Sequence, residues 1–508
     1  MCARVSSQGR GKVLLVNPNQ MKPPVAPLAL DYLAHALKKS EFQVDLLDLC
    51  FSTDISRDIK GYLARNDVLA VAVTLRNTDD TYLASQDFCI DRYKKVIDLL
   101  KAQTDAPIVL GGSGFSIMPQ AILSYYGLDL GIWGEGELSL PLLAERIAAK
   151  RDYGEVPGLV FRSGEGFLIN DPKYLELSHI GAPERNTVDN YRYFVEGGMG
   201  GVESKRGCPQ KCIYCADPAG KGKKLRLRSP QSVADEIESL LEMGIDHLHF
   251  GDSEFNIPES HARDICLELV RRGLGDKVRW YAYASPAPFS QELAALCRKS
   301  GCAGIDFGVD SGSDDMLRCL GREFTVADLS RTAEVCHQEG IVFMYDLLLG
   351  GPGETRESMR QTIETMKKLS PDRVGVSFGV RIFPRTKMAE IVQKQGPLHQ
   401  NPNLLGTVEG NDNFFKPIFY LSARLGPDAA EYLSQLILGD ERFFFVSPSG
   451  AERNYNYNDN TVLVNAIQAG YRGAFWDILR RLGKSQGDKA CSCQFQLSGN
   501  GINLGDSL

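Results

Sequence analysis

The chain has 508 residues. This length is too great for one ordinary domain and predicts roughly three domains. Its hydrophobic content of 43% and charged content of 24% are those of a folded globular protein, so they exclude a disordered chain. The formal net charge of −7 and the lack of an apolar run of about 18 residues argue against generic nucleic-acid binding and against membrane insertion.

The N-terminal sequence has no apolar stretch typical of a signal peptide, so we expect a cytoplasmic protein. The thirteen cysteines are odd in number and scattered over a large chain. Such a pattern predicts reduced thiols rather than a disulfide framework.

After an N-terminal tail (1–11), short apolar segments alternate with helical patterns over residues 12–150. Residues 13–16 predict the first strand and residues 27–39 the first helix. This alternation predicts an α/β fold with a doubly wound, Rossmann-like parallel sheet. Ligands of such sheets bind beyond the carboxyl ends of the strands, where the glycine-rich and polar loops fall.

Residues 151–196 show no clear helix and are predicted to be a linker. A second alternating series covers residues 197–395, with about six strand and helix units. It predicts a partial (β/α)6 TIM-type barrel with its site at the strand carboxyl ends. Residues 396–508 predict a small, mostly helical capping domain.

Three cysteines, Cys208, Cys212 and Cys215, form a CxxxCxxC loop after a predicted strand. This spacing lets one loop hold three corners of a [4Fe–4S] cluster and leaves one iron open for the amino and carboxylate groups of S-adenosylmethionine (SAM). A structural zinc site is the main alternative, but it needs a nearby fourth ligand. The next histidine, His247, lies in a predicted strand.

The cysteine loop, with Tyr214 before its last cysteine, resembles the signature of the radical SAM superfamily. Three later segments resemble the family's SAM-binding motifs in the same order: GDSEF for the amino group, GVDSGS for the ribose and GGPGET near the adenine. In the second, Asp310 replaces the usual Glu, which weakens the expectation of a direct ribose contact. Taken singly, each segment could be a helix cap or a turn. The residues carried over are Asp252, Glu254, Asp310, Ser311, Gly350 and Gly351.

The N-terminal region resembles the cobalamin-binding domain of one branch of that superfamily, through the segments VLLVNPN, PLALDYLAHAL, VLGGSGF and GEGE. The alternative is a nucleotide-binding type of fold without a corrin. A DxHxxG motif is absent, so the resemblance implies cobalamin without a protein histidine on cobalt, and residues 76–80 are the candidate loop below it. The candidate corrin-binding residues are Asn17, Arg76, Asn77, Asp79, Gly111, Gly112, Ser113, Gly134 and Glu135.

The two resemblances imply a cobalamin-dependent methyltransferase that uses a 5′-deoxyadenosyl radical and methylcobalamin to methylate an unactivated carbon. An external one-electron reductant such as flavodoxin or ferredoxin is expected. The alternatives are a cyclase or ring-rearranging enzyme with the same cofactors, and a non-catalytic cobalamin sensor, which would be expected to carry degraded motifs. Tyr281, Tyr283 and Arg381 are candidate substrate-facing residues, although packing explains each equally well. The substrate class, whether peptide, lipid, tetrapyrrole or small metabolite, stays open.

Overall fold

The computed structural model describes residues 10–179, 183–445 and 458–487. All but the last two positions of the predicted N-terminal tail lie outside the described residues, as does the predicted capping domain beyond residue 487. Among the helices of the described part of the chain, none is long and apolar enough to cross a membrane.

A seven-stranded sheet forms the N-terminal domain, in the order β2-β1-β3-β4-β5-β6-β7. The strands are β1 (Lys12–Asn17), β2 (Gln43–Asp48), β3 (Ala70–Thr74), β4 (Ile108–Gly111), β5 (Leu130–Ile132), β6 (Leu159–Ser163) and β7 (Gly166–Ile169). The helices are α1 (Leu28–Lys39), α2 (Ile55–Leu63), α3 (Cys89–Gln103), α4 (Ser113–Ile117), α5 (Pro119–Tyr126), α6 (Gly136–Ala148) and α7 (Asn190–Gly197). Strands β1 to β5 are parallel, as predicted, and β1 sends alternate apolar residues into two separate cores because helices cover both faces.

The segment predicted to be a linker, residues 151–196, belongs instead to this domain. Strand β6 pairs antiparallel with β5, and β7 pairs antiparallel with β6. Arg185 in the same segment is buried, and its guanidinium lies 3.1 Å from Asp31 on α1 and 2.6 Å from Glu236 of the following domain. The linker prediction is wrong because these two strands are short and partly exposed, with β7 at the edge of the sheet, and so carry a weak apolar signal.

Six parallel strands form the predicted partial barrel, in the order β15-β14-β13-β12-β11-β8. The strands of this region are β8 (Gly200–Val202), β9 (Lys205–Arg206), β10 (Arg226–Leu227), β11 (His247–Phe250), β12 (Arg279–Ala284), β13 (Cys302–Asp310), β14 (Phe343–Leu349) and β15 (Arg373–Phe378). Strands β9 and β10 make a separate antiparallel pair that flanks the cysteine loop.

Helices cover the outside of the barrel and close one large apolar core against its strands. They are α8 (Asp217–Lys221), α9 (Pro230–Glu242), α10 (Glu259–Arg271), α11 (Gln291–Lys299), α12 (Asp314–Leu320), α13 (Val326–Glu339) and α14 (Arg356–Leu369). Four begin after a Ser or Thr whose hydroxyl accepts a bond from the backbone N–H three residues later, which satisfies a helix-end donor.

The described residues after β15 run into the predicted C-terminal capping domain, which begins at residue 396. Their elements are β16 (Val380–Arg381), α15 (Lys387–Lys394), β17 (Leu404–Gly406), β18 (Ile418–Tyr420), α16 (Ala429–Ile437), β19 (Phe443–Phe444), α17 (Thr461–Gln468) and α18 (Phe475–Gly487). Strand β18 pairs with β16 and β17, and β19 adds a seventh parallel strand beside β15. This part of the chain is therefore built onto the barrel itself.

The barrel lumen is layered, because alternate residues of each strand face inward. Tyr281 on β12 is level with Gly304 on β13, and both pack with Met344 of β14 against Trp476 of α18. A Cβ at Gly304 would lie 2.7 Å from the Trp476 ring. This aromatic layer fills the amino end of the lumen, and the inward residues two positions further along each strand form the layer above it.

Candidate active site

The cysteine loop lies between β9 and α8 and is held at both ends by backbone hydrogen bonds. The N–H of Cys208 donates to the carbonyl of Gly222 at 3.1 Å, and the N–H of Ile213 donates to Leu320 at 3.0 Å. Gly207, with φ of 93°, starts the loop where a Cβ would lie 2.1 Å from the carbonyl oxygen of Lys224. Only glycine fits this approach, so the backbone enters the loop in one fixed direction.

The three cysteines, Cys208, Cys212 and Cys215, line one cavity of about 310 Å³ at the carboxyl ends of the barrel strands. Burial raises the pKa of the Cys208 thiol to about 11 and also raises the pKa values of the other two, so a bound cation is needed to keep all three as thiolates near neutral pH. The described residues contain no group of three His, Cys, Asp or Glu side chains spaced to hold a metal ion. Three thiols around an open space instead suit a cluster that gives each thiolate its own iron.

Arg322, which sequence reasoning missed, connects the cysteine loop to the barrel acids. Its guanidinium donates to Cys212 Sγ at 2.9 Å and lies 3.5 Å from the Asp310 carboxylate and 4.0 Å from that of Glu254. Asp310 also accepts a 2.6 Å bond from the hydroxyl of Tyr214. A single arginine that follows a glycine forms no recognisable motif in the sequence. Its position at the cysteine cavity becomes visible only in the fold.

Two of the predicted SAM-contacting carboxylates, those of Glu254 and Asp310, line the cysteine cavity. Burial raises the pKa of Glu254 to about 7, although the Arg322 guanidinium acts in the opposite direction. Asp310 adopts a left-handed φ of 64° at a bulge against β14, which turns its side chain toward Tyr214. These two acids therefore stay candidates for SAM contacts.

The other SAM candidates line neither described cavity. Asp252 is buried and accepts bonds from the Ser204 N–H at 2.8 Å, the Ser204 hydroxyl at 2.5 Å and the Lys205 N–H at 3.2 Å. Its carboxylate thus fixes the strand that leads to the cysteines, which corrects the prediction that it faces SAM. Ser311 is likewise buried, with its hydroxyl 2.9 Å from that of Thr362.

The glycine turn after β14 also has an internal partner. The N–H of Gly350 donates to the buried carboxylate of Glu354, and a Cβ at Gly350 would lie 2.6 Å from Leu421. Neither Gly350 nor Gly351 lines the two cavities, and the turn shapes the end of β14, so an adenine contact there stays a prediction.

A second cavity, of about 830 Å³, lies between the carboxyl ends of the N-terminal sheet and the open end of the barrel. Every residue predicted to bind the corrin lines it. These are Asn17, Arg76, Asn77, Asp79, Gly111, Gly112, Ser113, Gly134 and Glu135. No histidine is among its described lining residues, and the absence of a protein histidine on cobalt stays a prediction.

The walls of this larger cavity fit a large ligand that approaches the backbone closely. At Gly112 a Cβ would lie 2.6 Å from the carbonyl oxygen of Leu75, so the turn there has no room for a side chain. Arg76, which follows Leu75, has a buried Nη1 with no hydrogen-bond partner. An unpaired buried guanidinium nitrogen indicates a site that a ligand completes. By contrast, the Glu135 carboxylate is held 2.6 Å from the guanidinium of Arg226.

The three substrate-facing candidates have different outcomes. Tyr283 lines both cavities and is half-exposed. Arg381 is buried at the wall of the larger cavity, where its guanidinium lies 3.0 Å from Asp79 of the N-terminal domain and joins the two domains. Tyr281 is wrong as a substrate contact because it sits one layer deeper, where its hydroxyl donates to Asp477 at 2.8 Å.

The two cavities meet at a shared wall, which we define as the residues that line both. It consists of Tyr214, Cys215, Asp217, Tyr283, Asp306, Asp346, Leu348 and Ser377. Asp306 and Asp346, on β13 and β14, were not predicted. Their signal in the sequence was an acidic residue inside an otherwise apolar strand, since such a side chain is rarely buried without a purpose.

The chain matches two family models, one for each part of this site. A model of the radical SAM superfamily matches residues 202–366, and a model of the B12 binding domain matches residues 18–144. The first range contains the cysteine loop and most of the barrel, and the second contains most of the N-terminal parallel sheet. The two resemblances noted in the sequence are confirmed.

Near full-length relatives share both domains. The tryptophan 2-C-methyltransferase of Streptomyces laurentii is 33% identical over 92% of this chain and 95% of its own length. The radical SAM methyltransferase TsrM from Kitasatospora setae, with tryptophan substrate and the SAM analogue aza-SAM bound, has a TM-score of 0.88 at 31% identity, covering 95% of this chain and 100% of that chain. A structure of TsrM with cobalamin and a [4Fe–4S] cluster bound has a TM-score of 0.86 at 31% identity, covering 94% and 99%.

Proposed function

Because the chain belongs to the cobalamin-dependent radical SAM methyltransferases, we propose that it transfers a methyl group from SAM to ring carbon 2 of tryptophan or a close analogue. The observation that carries the proposal is the similarity to a tryptophan 2-C-methyltransferase along almost the whole of both chains. The shared wall supports it, since an acceptor must lie where the corrin cavity and the SAM cavity meet.

The residues present fit the three cofactors of this family. Cys208, Cys212 and Cys215 would hold the [4Fe–4S] cluster, with SAM beside them, and the turns around Arg76 and Gly112 would hold cobalamin. When bound, these groups supply a transferable methyl group and the reducing and radical chemistry that moves it. The protein has to orient the acceptor and exclude water from the wall between them.

The shared wall has the shape and composition for an aromatic acceptor. The Tyr283 ring stands at the carboxyl end of β12, 4.8 Å from the ring of His249 in an edge-to-face contact. It offers a flat surface to a second aromatic ring, and the lumen below it is filled by the Trp476 layer. An indole can therefore enter from the open end and stop at the level of Tyr283.

The test is anaerobic reconstitution with iron, sulfide and cobalamin, followed by turnover with tryptophan and SAM labelled in its methyl group. Label in methylated tryptophan, located on the ring by NMR, is the expected result. Labelled SAM consumed with no label in any tryptophan product would refute methyl transfer and favour the cyclase or ring-rearranging alternative.

The same assay distinguishes two routes to the product. Hydrogen abstraction by a 5′-deoxyadenosyl radical, which the sequence resemblance implies, predicts one 5′-deoxyadenosine for each methyl group transferred. An aromatic carbon is itself electron-rich, and methylation without 5′-deoxyadenosine would show that it attacks the methyl group directly. The ratio of the two products is measured by liquid chromatography with mass detection.

Reduction of the cluster requires an external electron donor, and we propose a flavodoxin or ferredoxin in the cytoplasm. These small carriers deliver single electrons at low potential, which a four-iron cluster of this kind accepts. The expected result is faster turnover with a reduced carrier than with the enzyme alone, and an unchanged rate would refute the pairing.

A further inference from the structure

Two carboxyl groups lie on the inward face of adjacent barrel strands, each two residues beyond a position of the Trp476 layer. Asp306 on β13 and Asp346 on β14 lie on the same inward face, two register positions apart. Both line both cavities. Asp346 packs over Gly375 of β15, where a Cβ would lie 2.2 Å from its Oδ1, so the absence of a side chain makes room for the carboxylate.

Asp306 is incompletely satisfied by the protein. The residue is 4% exposed, and its Oδ1 is buried with no hydrogen-bond partner. A buried carboxylate oxygen without a donor is costly, and native proteins tolerate it where a ligand completes the bond. The cavity that Asp306 lines is the space from which that donor can come.

The surroundings of the pair supply no positive charge at the shared wall. Its described residues include three aspartates and neither lysine nor arginine. The nearest guanidinium described at the cysteine cavity, that of Arg322, is engaged with Asp310 and Glu254. Burial, followed by repulsion from neighbouring carboxyls, raises the pKa of both acids, that of Asp346 to about 7. A cation from the ligand would relieve this repulsion.

We infer that Asp306 and Asp346 together bind the α-ammonium group of the amino-acid substrate and so select a zwitterionic acceptor. This inference rests on the proposed function and adds a specificity determinant to it. An ammonium has three N–H donors, which can satisfy the free Oδ1 of Asp306 and still reach Asp346. SAM carries an ammonium group too, but Glu254 and Asp310 lie nearer the cysteines in the SAM cavity, whereas this pair lies where the acceptor must sit.

The test measures binding by the cofactor-loaded enzyme, using calorimetry without turnover. The ligands are tryptophan, indole-3-propionate, which keeps the ring and carboxylate but lacks the ammonium, and SAM. Asp306→Asn and Asp346→Asn are expected to weaken tryptophan binding about 10- to 100-fold, the range for losing a charged hydrogen bond, and to leave the other two ligands within about twofold. Asp315→Asn, an exposed aspartate on α12, is the matched control and should change none of them.

The outcomes separate the inference from the proposed function. Equal losses for tryptophan and indole-3-propionate, or a loss confined to SAM, would overturn the inference and leave the function standing. Wild-type enzyme that binds tryptophan no more tightly than indole-3-propionate would overturn it without any variant, which covers the case of a variant that does not fold. Wild-type enzyme that binds no tryptophan would overturn both.

Discussion

Replacing Gly112 with alanine is expected to weaken cobalamin binding by the N-terminal domain. Gly112 has φ of 98° and ψ of 171°, a conformation that costs other residues about 1–3 kcal/mol. The new Cβ would also lie 2.6 Å from the Leu75 carbonyl oxygen and 2.8 Å from Thr74 Oγ1. A backbone oxygen cannot rotate away, so the end of β3 and the following Arg76 must move.

The two costs combine to a worked magnitude. Backbone strain of about 1–3 kcal/mol and an overpacking cost of similar size give a total free-energy cost of about 2–6 kcal/mol for keeping the cavity wall in its present conformation. If the loaded form carries that cost, the dissociation constant for cobalamin rises at least about 30-fold. Hydroxocobalamin titrated into the apoprotein and followed by its absorbance measures this directly.

Gly164→Ala is the matched control, because it has φ of 59° but nothing within 4 Å of the added Cβ. It lies in the turn between β6 and β7, away from the cavity, and should cost only about 1 kcal/mol of stability with unchanged cobalamin affinity. If Gly112→Ala binds cobalamin as tightly as Gly164→Ala does, the close approach at Gly112 plays no part in corrin binding and the reasoning is wrong.

Four further changes have defined outcomes. Alanine at all three loop cysteines should remove bound iron and sulfide and end methylation, and retained iron would contradict the site. Arg322→Met should lower the reduction potential of the cluster by on the order of tens of millivolts, because an N–H donor to the Cys212 sulfur is lost; an EPR-monitored redox titration tests this. Tyr281→Phe should lower the thermal midpoint by a few degrees, for about 1 kcal/mol, with kcat unchanged. Burial raises the pKa of Glu354 from 4.5 to about 7, so the protonated carboxyl stabilises the fold at low pH and this stability is lost as the pH rises through 7. Glu354→Gln should therefore reduce the drop in thermal midpoint over this pH range. An equal drop in the wild type and the variant would refute this prediction.

The parallel strands and the cysteine loop could be predicted because their signals are local. The first strand, predicted at residues 13–16, lies within β1 (Lys12–Asn17), and the first helix, predicted at 27–39, matches α1 (Leu28–Lys39) to within one residue. The polar loops of the N-terminal sheet also meet in one cavity, since parallel strands share an edge. The prediction for residues 151–196 was wrong because β6 and β7 form by pairing, β6 with β5 and β7 with β6, and their own sequence does not specify these partners.

The depth of a side chain in the lumen could not be predicted. Tyr281 and Tyr283 lie on the same face of β12, yet Tyr281 packs against Trp476 whereas Tyr283 lines both cavities. Their separation depends on how far α18, almost 200 positions later, reaches into the barrel. Asp252 shows the same limit, because its motif position suggests a ligand contact while its oxygens bind Ser204 and Lys205.

Among the described residues, the barrel lumen is filled at its amino end and opens at its carboxyl end. Trp476 and Tyr281 form its floor, and the mouth faces the N-terminal sheet across the larger cavity. An acceptor that enters at this end, and a product that leaves by it, pass along the corrin cavity, so a methylated molecule has to leave that space before the next acceptor can arrive. The Trp476 floor also limits how deep an acceptor can reach, so the reactive carbon of a large acceptor has to lie on a narrow group that enters the lumen.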